Sequence, residues 1–323
     1  MTSVVTGGAG FLGSHLVDAL VRRGEAVVVV DNLSTGRISN LERAIAGGGV
    51  RFVFADVSVA NPAVLAAIES AAGGKLDRIF HLASPASPEA YGLDPWGTLA
   101  VNAVGTMQLI DFALKHSAEF LFASTSEVYG DPLVHPQPES YYGNVDPVGP
   151  RSCYDEGKRF GEATVAAAVR TRGLAGRIVR YFNCYGPRME SGDGRLIPAF
   201  VDAGLRGEPL PVHGDGRQTR SLTYVDDAVA ATILVADSRE TVLAPVNIGN
   251  DDERSVLEIA SAVARALGIE LQTRHVPARL QDPQRRRPDT SRAAGLNWRA
   301  RTSLDEGLSQ TIAWFQDARV SLV

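Results

Sequence analysis

The chain has 323 residues, of which 45% are hydrophobic and 21% are charged, and its formal net charge at pH 7 is −5. At roughly 150 residues per domain this length predicts two units, and the apolar fraction excludes a disordered chain. The acidic balance argues against a nucleic-acid partner, and the longest uninterrupted apolar runs, such as 26–30, are far shorter than the roughly 20 residues of a membrane span, so no membrane partner is expected.

Short apolar runs alternate with helical stretches through the first half of the chain. Strands are predicted at 3–6, 26–31, 51–55, 78–83, 120–124 and 177–182, and helices at 13–23, 63–72 and 98–116. Strands that are apolar nearly throughout and alternate with helices indicate a parallel sheet covered on both faces. The predicted fold class is therefore α/β, with a doubly wound parallel (Rossmann) sheet.

The pattern changes after Asn183. Residues 184–215 are rich in Gly, Pro and Arg without a clean period, and alternation returns at 220–225, before a helix at 226–235 and a short strand at 246–248. Serine followed three residues later by glutamate, at 255/258 and at 303/306, is a capping-box pattern that predicts two further helices. An arginine-dense loop at 281–289 separates them. We predict a smaller C-terminal unit that is intertwined with the first.

A glycine-rich loop, Thr6–Gly13, lies between the first predicted strand and its helix. Glycines at 7, 10 and 13 let the backbone turn tightly and approach a pyrophosphate, and the helix N-terminus supplies free N–H groups. Asp31 ends the second strand, where an acid binds the adenosine ribose and disfavours a 2′-phosphate, so NAD is favoured over NADP. Arg37 lies near enough to leave NADP open. Asp56 and Val57, after the third strand, flank the adenine or simply end a strand.

Tyr154 and Lys158 have the spacing of neighbours on one helix face. A free tyrosine has a pKa of about 10, and a nearby ammonium together with a cationic nicotinamide ring lowers it by about 3 units, which makes the phenol a usable acid/base. The chain has only three lysines, so a lysine at this place is notable. An ordinary surface pair is the alternative, and the nucleotide loop favours the catalytic interpretation.

Five further motifs carry a resemblance to a known family. They are HLASPASP at 81–88, STSEVYGDP at 124–132, CYDEGKR at 153–159, GPRM at 186–189 and DPQRRRPD at 282–289. With the loop and the Tyr–Lys pair, they make the chain resemble the extended short-chain dehydrogenase/reductase family of nucleotide-sugar enzymes over essentially its whole length. Within that family it is most similar to the branch that decarboxylates UDP-glucuronate.

The resemblance implies tightly bound NAD and a set of residues that contact it. These are Gly7, Gly10, Phe11, Leu12, Gly13, Asp31, Asn32, Thr35, Gly36, Asp56, Val57, Leu82, Ser84, Thr98, Tyr154, Lys158 and Arg195. It also implies two domains, an NAD-binding Rossmann domain at 1–182 plus about 222–250 and a nucleotide-sugar-binding domain at about 183–221 plus 251–323.

The triplet Thr125, Ser126 and Glu127 indicates the branch of the family. By resemblance, Thr125 or Ser126 donates to the sugar hydroxyl that is oxidised. Sugar 4,6-dehydratases carry an aspartate where Ser126 stands, and simple 4-epimerases usually lack the glutamate. The pattern Ser126-Glu127 therefore resembles the decarboxylases, in which Glu127 is expected to handle the proton at C5 of the sugar.

The same resemblance assigns the remaining substrate contacts. Arg220 is expected to hold the C6 carboxylate, and Arg286 the diphosphate, although Arg285 and Arg287 stand beside it. The catalytic set is thus Tyr154, Lys158, Thr125, Ser126, Glu127 and Arg220, and the substrate-binding set is Ser84, Pro85, Asn183, Arg188, Arg220 and Arg286. Gly97 and Cys184 replace a lysine and a threonine that are common in the branch, so the exact substrate contacts are open.

The implied function is NAD-dependent decarboxylation of UDP-glucuronate to UDP-xylose, through a 4-keto intermediate with internal hydride return. UDP-glucuronate 4-epimerase, or another nucleotide-sugar epimerase or dehydratase, is the alternative. The resemblance also implies a homodimer that forms through helices around 98–116 and 154–172.

Cysteine usage bears on metals and on the compartment. Cys153 and Cys184 cannot form a disulfide framework, and no cysteine–histidine spacing resembles a zinc site, so no metal is predicted. The chain starts directly in a strand-like run without a secretory signal. We expect a cytoplasmic protein.

Overall fold

The short apolar runs of the sequence form the strands. The computed structural model describes residues 1–278 and 283–320, without the side chains of 319 and 320, so positions 281 and 282 of the arginine-dense loop and the last three residues of the predicted second domain lie outside the described residues. The strands are β1 (Thr2–Thr6), β2 (Ala26–Asp31), β3 (Val50–Phe54), β4 (Arg78–His81), β5 (Glu119–Thr125), β6 (Gly176–Tyr181), β7 (Cys184–Tyr185), β8 (Leu210–His213), β9 (Thr219–Ser221), β10 (Thr223–Tyr224), β11 (Val246–Ile248), β12 (Glu253–Ser255), β13 (Thr273–Val276) and β14 (Arg285–Arg286).

Helices form at the predicted segments, and others form where none was predicted, such as the helix at Leu196–Leu205 within the segment 184–215. They are α1 (Phe11–Arg22), α2 (Glu42–Ala46), α3 (Pro62–Ala71), α4 (Pro88–Leu93), α5 (Pro95–Ala100), α6 (Thr106–Lys115), α7 (Ser152–Arg172), α8 (Leu196–Leu205), α9 (Val225–Asp237), α10 (Val256–Leu267), α11 (Ser291–Gly295) and α12 (Leu304–Val320). The predicted helix at 98–116 is the later part of a longer run, in which a π-helical turn at Val101–Gly105 joins α5 to α6.

The main sheet has seven parallel strands among the described residues, in the order β11-β6-β5-β4-β1-β2-β3. The order reverses between β1 and β4, and doubly wound sheets bind their ligands outside the carboxyl ends of the strands at this point. This confirms the predicted Rossmann fold. The predicted strand at 78–83 ends earlier, at His81, because the chain then leaves the sheet to pass over the glycine-rich loop.

Successive side chains of each strand enter different halves of the core. Val4 packs in the half that contains Ile68 of α3, whereas Val5 packs in the half that contains Leu16 of α1. This alternation is the consequence of the two-residue period of a strand. Helices on both faces therefore bury the sheet, as the continuous apolar strands predicted.

One helical run among the described residues, Pro95–Lys115, is long and apolar enough by length and composition to cross a membrane. The expectation above considered only uninterrupted apolar runs and so did not identify it. In the structure this run packs against α7, and 56% of its most apolar window is buried inside the protein. Such burial is typical of a core helix.

The C-terminal part contributes small sheets beside the main one. β9 pairs with β12 and β14, and β13 pairs with β8, whereas β11 returns to the main sheet beside β6. Ser255 and Glu258 form the predicted capping box of α10, and Ser303 accepts a hydrogen bond from the backbone N–H of Glu306 at the start of α12. The domain boundaries given above stay a prediction.

Candidate active site

A cavity of about 320 Å³ opens at the carboxyl ends of β1, β4, β5 and β6. Most residues that were predicted to act on cofactor or substrate line it: Gly7, Gly10, Phe11, Leu12, Gly13, Leu82, Ser84, Thr125, Ser126, Glu127, Tyr154, Lys158, Asn183, Arg195, Arg220 and Arg286. The sequence-predicted residues outside this lining are Asp31, Asn32, Thr35, Gly36, Asp56, Val57, Pro85, Thr98 and Arg188.

The glycine-rich loop forms a cradle of bare backbone at one end of the cavity. A Cβ on Gly13 would lie 2.1 Å from the carbonyl oxygen of Gly7, and Gly7 has a φ of +71°, which favours glycine. Gly10 precedes α1 without any side-chain cap, so the first N–H groups of the helix are free to meet an anion. The geometry of the cradle fits the pyrophosphate of a dinucleotide.

Two acids lie beyond this loop, near the ends of β2 and β3. Asp31 accepts hydrogen bonds from the backbone N–H of Ala9 at 2.9 Å and of Leu33 at 2.8 Å. Burial raises the pKa of Asp31, and these two hydrogen bonds oppose the rise. Asn32 donates from Nδ2 to Asp56 at 3.0 Å and so connects the two strand ends.

Arg37, the residue that left NADP open, is engaged elsewhere. Its Nε donates to Oε2 of Glu190 at 2.7 Å, and the same guanidinium also contacts Oε1 of that carboxylate. An arginine that already has a carboxylate partner is less available for a 2′-phosphate. The observed contact favours NAD.

Three residues that were predicted to contact the cofactor or the substrate make contacts within the protein instead. The hydroxyl of Thr98 donates to the carbonyl of Asp94 at 2.8 Å, and Val57 is buried in the core, with its carbonyl accepting from Gln108. Arg188 is predicted to line the substrate site, but its Nη2 donates to Asp18 of α1 at 2.7 Å, and the cavity wall is formed by the next residue, Met189.

Tyr154 and Lys158 lie on one face of α7 at the centre of the cavity. The ring of Tyr154 stacks on that of Tyr91 at a centroid distance of 5.2 Å, and its hydroxyl is hydrogen bonded to Thr125. The Nζ of Lys158 donates to the carbonyl of Ala123 at 2.8 Å and lies 5.9 Å from the centroid of the Tyr154 ring. The predicted pair is therefore assembled beside the predicted hydroxyl donor.

Burial shifts the pKa values of both members of this pair. Burial raises the pKa of Tyr154 above its usual range, and the hydrogen bond from Thr125 opposes that rise. Burial lowers the pKa of Lys158 to about 7, against the charge of Glu162. In the protein by itself, then, burial keeps the phenol protonated at neutral pH, and the predicted lowering of its pKa depends on the positive charge that the nicotinamide ring would add.

Glu127 lies at the other end of the cavity between two guanidiniums. Arg286 donates to both of its oxygens, with Nη1–Oε1 and Nη2–Oε2 distances of 2.5 and 2.9 Å, and Nη2 of Arg151 contacts Oε2. Burial by itself would raise the pKa of Glu127, but the charges of Arg286 and Arg151 outweigh it and lower the pKa to about 2. Glu127 is therefore an ionised carboxylate at any physiological pH.

Arg220 and Arg286 are direct neighbours across the strand pair β9–β14. Arg220 donates from Nη1 to the carbonyls of Thr219 at 2.7 Å and Pro283 at 2.9 Å, and both arginines are almost fully buried. Of the three consecutive arginines, Arg286 lines the cavity, whereas Arg285 is exposed. Two adjacent guanidiniums in a buried wall are suited to binding carboxylate or phosphate groups.

The structure shows the contacts of the two positions, Gly97 and Cys184, at which the chain departs from the decarboxylase branch. The N–H of Gly97 donates to Oδ1 of Asp94 at 2.8 Å, and a Cβ on Gly97 would come within 2.0 Å of the other oxygen of Asp94. Cys184 lines the cavity, and burial raises the pKa of its thiol to about 12. The thiol therefore remains protonated.

Sequence reasoning missed several residues of the site, among them Arg151 and Tyr91 in the cavity lining and Asn102, which contacts that lining. Arg151 precedes Tyr154 by one helical turn, a spacing that could have revealed it. Tyr91, which stacks on Tyr154, and Asn102, which donates to the hydroxyl of Ser84 at 2.9 Å from within the π-helical turn, had no comparable signal. Across 1–278 and 283–320 no group of three or more His, Cys, Asp or Glu side chains is placed to hold a metal ion.

The fold and the cavity together define a dinucleotide-binding protein in which a tyrosine–lysine pair lies between a backbone cradle and a cluster of arginines. A family model described as the NAD dependent epimerase/dehydratase family matches residues 3–249, and the chain belongs to this family.

Relatives and solved structures show which proteins of this family the chain is similar to. UDP-glucuronic acid decarboxylase 1 of Arabidopsis thaliana is 44% identical over 315 residues, which cover 97% of this chain and 69% of the relative. UDP-glucose 4-epimerase of Thermotoga maritima, solved with UDP-glucose, has a TM-score of 0.89 and 30% identity and covers 99% of this chain and 100% of its own. UDP-glucuronic acid 4-epimerase of Bacillus cereus, solved with UDP-glucuronic acid and NAD, has a TM-score of 0.87 and 26% identity, with coverages of 98% and 100%.

Proposed function

We propose that this chain decarboxylates UDP-glucuronate to UDP-xylose with NAD, through a 4-keto intermediate and with internal return of the hydride. The observation that carries the proposal is the placement of the Tyr154–Lys158 pair next to Glu127 and the adjacent guanidiniums of Arg220 and Arg286. The relatives that are 42–44% identical over nearly the whole chain are UDP-glucuronic acid decarboxylases, which supports the same assignment.

NAD fits the backbone cradle of Gly7–Gly13, and when bound it supplies the chemistry of accepting the hydride of C4 and giving it back. Tyr154 must first lose its own proton, which the positive charge of bound NAD⁺ would favour, and it then takes the proton of the C4 hydroxyl. The Thr125 hydroxyl, which already contacts the phenol, stabilises the resulting oxygen. In the 4-keto sugar the carboxylate at C5 is β to the ketone, so loss of CO₂ leaves an enolate. Hydrogen bonds from Tyr154 and Thr125 stabilise that enolate.

The arginine end of the cavity positions the group that leaves. Arg220 holds the C6 carboxylate in the buried wall, and Arg286 beside it binds the diphosphate or the same carboxylate. Because the pKa of Glu127 is about 2, this carboxylate does not store the proton that C5 needs. We propose that it orients a water molecule, that this water delivers a proton to C5, and that bulk solvent supplies the proton that neutralises the hydroxide left behind.

An assay with UDP-glucuronate labelled at C6 tests the proposal. The expected result is labelled CO₂ in a one-to-one ratio with UDP-xylose identified by NMR, and no product from a Tyr154→Phe variant. A UDP-glucuronate 4-epimerase would instead accumulate UDP-galacturonate without CO₂, and this outcome would rule out decarboxylation.

We further propose that the chain forms a homodimer through α5, α6 and α7. Large apolar side chains are exposed on these helices, with Trp96 at 82%, Met107 at 52% and Phe160 at 46% of their accessible surface, and such a patch is typical of an interface. Light scattering should give twice the 34.4 kDa chain mass, and a Met107→Asp/Phe160→Asp variant should give the single mass. A wild-type monomer at micromolar concentration would contradict the proposal.

The proposed compartment is the cytoplasm, where NAD and UDP-sugars are available. Cys153 and Cys184 are both free thiols, as expected for a reducing compartment. Cell fractionation followed by the CO₂ assay should recover the activity in the soluble fraction.

A further inference from the structure

We propose that Arg151 is a positioning residue for Glu127. It keeps the carboxylate fixed at the sugar end of the cavity while Arg286 turns from Glu127 to the anionic substrate. The identity of that anion rests on the proposed function, whereas the arrangement of Arg151 and Glu127 does not.

Arg151 stands at the N-terminal end of α7, one turn before Tyr154 and two turns before Lys158. Residues at i, i+3 and i+7 share a helix face, so one helix presents the three side chains to the cavity together. The side chain of Arg151 is 13% exposed, and it lines the cavity with its guanidinium on Oε2 of Glu127. Its backbone is fixed by a 21-residue helix that packs on the main sheet.

The other partner of Glu127 is held differently. Arg286 belongs to the two-residue strand β14 and lies beside Arg220 in register. Three guanidiniums, Arg151, Arg220 and Arg286, act on the carboxylate of Glu127 and lower its pKa. The side-by-side arginines Arg220 and Arg286 can bind one anion together.

When Arg286 moves away from Glu127, the buried carboxylate loses one counter-charge, and Arg151 limits the destabilisation that follows. A buried carboxylate that loses its counter-charge is strongly destabilised and takes up a proton or moves toward water. With Arg151 in place, Glu127 keeps one charge-assisted contact at Oε2 and stays ionised and oriented. Arg151 thus allows the guanidinium of Arg286 to leave Glu127 and to bind the substrate.

Asp155 is a second carboxylate beside the Arg151 guanidinium. Its Oδ2 lies 3.8 Å from Nε of Arg151, and its Oδ1 is buried without a hydrogen-bond partner among the described residues. Burial, followed by the charge of Glu127, raises the pKa of Asp155 to about 7, so at neutral pH Asp155 competes only partly for the Arg151 charge. The guanidinium is therefore oriented by Asp155 but remains available to Glu127.

Variants of Arg151 test the proposal, with Arg170→Met, an exposed arginine in the last turn of α7, as the matched control. In Arg151→Met we expect kcat for UDP-glucuronate to fall by about 30-fold with KM changed by less than about 3-fold. The reason is that the lost interaction stabilises the transition state more than it stabilises the bound substrate. The acid limb of the kcat–pH profile should move to higher pH, since Glu127 and Asp155 have both lost a charge that lowers their pKa. Arg151→Lys, which keeps the charge, should restore most of both.

A measurement without substrate separates this proposal from the proposed function. The ¹³C carboxyl signal of Glu127, assigned with Glu127→Gln, should not titrate between pH 5 and 8 in the wild type, and in Arg151→Met its titration should move to higher pH by about one unit or more. Unchanged kcat, acid limb and carboxyl titration would overturn the proposal, as would a rise in KM alone, which would make Arg151 a substrate-binding residue. If Arg151→Met does not fold, Arg151→Gln, which keeps hydrogen-bond donors but removes the charge, decides by the same readouts. Failure of the wild type to release CO₂ would count against the proposed function only.

Discussion

At the cofactor end of the cavity the binding surface is the backbone of one continuous stretch, Thr6–Gly13, whereas the sugar end is assembled from charged side chains of four separate segments. The cradle works because side chains are absent: a Cβ on Gly13 would strike Gly7. The sugar end works because Arg286, Arg151 and Arg220 are close enough to keep Glu127 ionised. The first kind of site is sensitive to added volume, and the second to charge and pH.

Tyr154 lies between the two ends, and its variant should show the largest effect. Tyr154→Phe removes the group that takes the C4 proton, and kcat should fall by about 1000-fold or more. NAD binding, measured by calorimetry, should change little because the backbone cradle is untouched. Tyr142→Phe is the control, since that side chain is 89% exposed. Retained turnover in Tyr154→Phe would remove this phenol from the mechanism.

Gly13→Ala should break the cofactor end and leave the sugar end intact. The added Cβ would lie 2.1 Å from the Gly7 carbonyl oxygen, so the loop must open and lose its fit to pyrophosphate. We expect NAD affinity to fall by about 100-fold, equivalent to about 2.7 kcal/mol, by titration of the apo-protein. Gly295→Ala is the control, because a Cβ there meets no heavy atom within 4 Å. Equal loss in both variants would point to general destabilisation.

Sequence reasoning performed differently at the two ends for a physical reason. Loop, strand and Asp31 follow each other within one βαβ unit, so spacing alone predicts their proximity, and the parallel sheet follows from the same period. The contact of Arg151 with Glu127 joins segments 24 residues apart, and that of Arg286 with Glu127 joins segments 159 residues apart. No local pattern encodes these distances, and the pairing of Arg188 with Asp18 was equally invisible.

Glu127→Gln should affect the sugar end with a smaller loss than Tyr154→Phe. The amide cannot balance the guanidiniums of Arg286 and Arg151, so the anionic substrate is bound at least as tightly but the reacting complex is misaligned. We expect kcat to fall by about 100-fold while KM stays equal or decreases, which steady-state kinetics would separate. The exposed Glu240→Gln serves as control. A rise in KM with normal kcat would contradict this account of the charge cluster.

The shifted pKa of Lys158 makes the stability of the fold depend on pH. Its pKa is about 7 in the folded protein and about 10.5 when unfolded, so between these values the unfolded chain holds a proton that the folded chain lacks. The destabilisation by Lys158 is therefore complete below pH 7 and disappears as pH rises toward 10.5. Lys158→Met should raise Tm by a few degrees at pH 6 and less at pH 10, in contrast to exposed Lys75→Met. A pH-independent difference would mean that Lys158 is charged in the fold.

The smallest effect is expected at the rim of the cofactor end. The binding surface there is mostly backbone, and the ion pair between Arg37 and Glu190 adds charged side chains to it. Glu190→Gln frees the guanidinium near the ribose end, and NADP should gain affinity relative to NAD by only a few-fold, because an exposed pair is worth about 0–1 kcal/mol. The gain should shrink in high salt. Calorimetric titration with both cofactors measures it, and a gain that is insensitive to salt would show that Arg37 acts through loop structure and not through its charge.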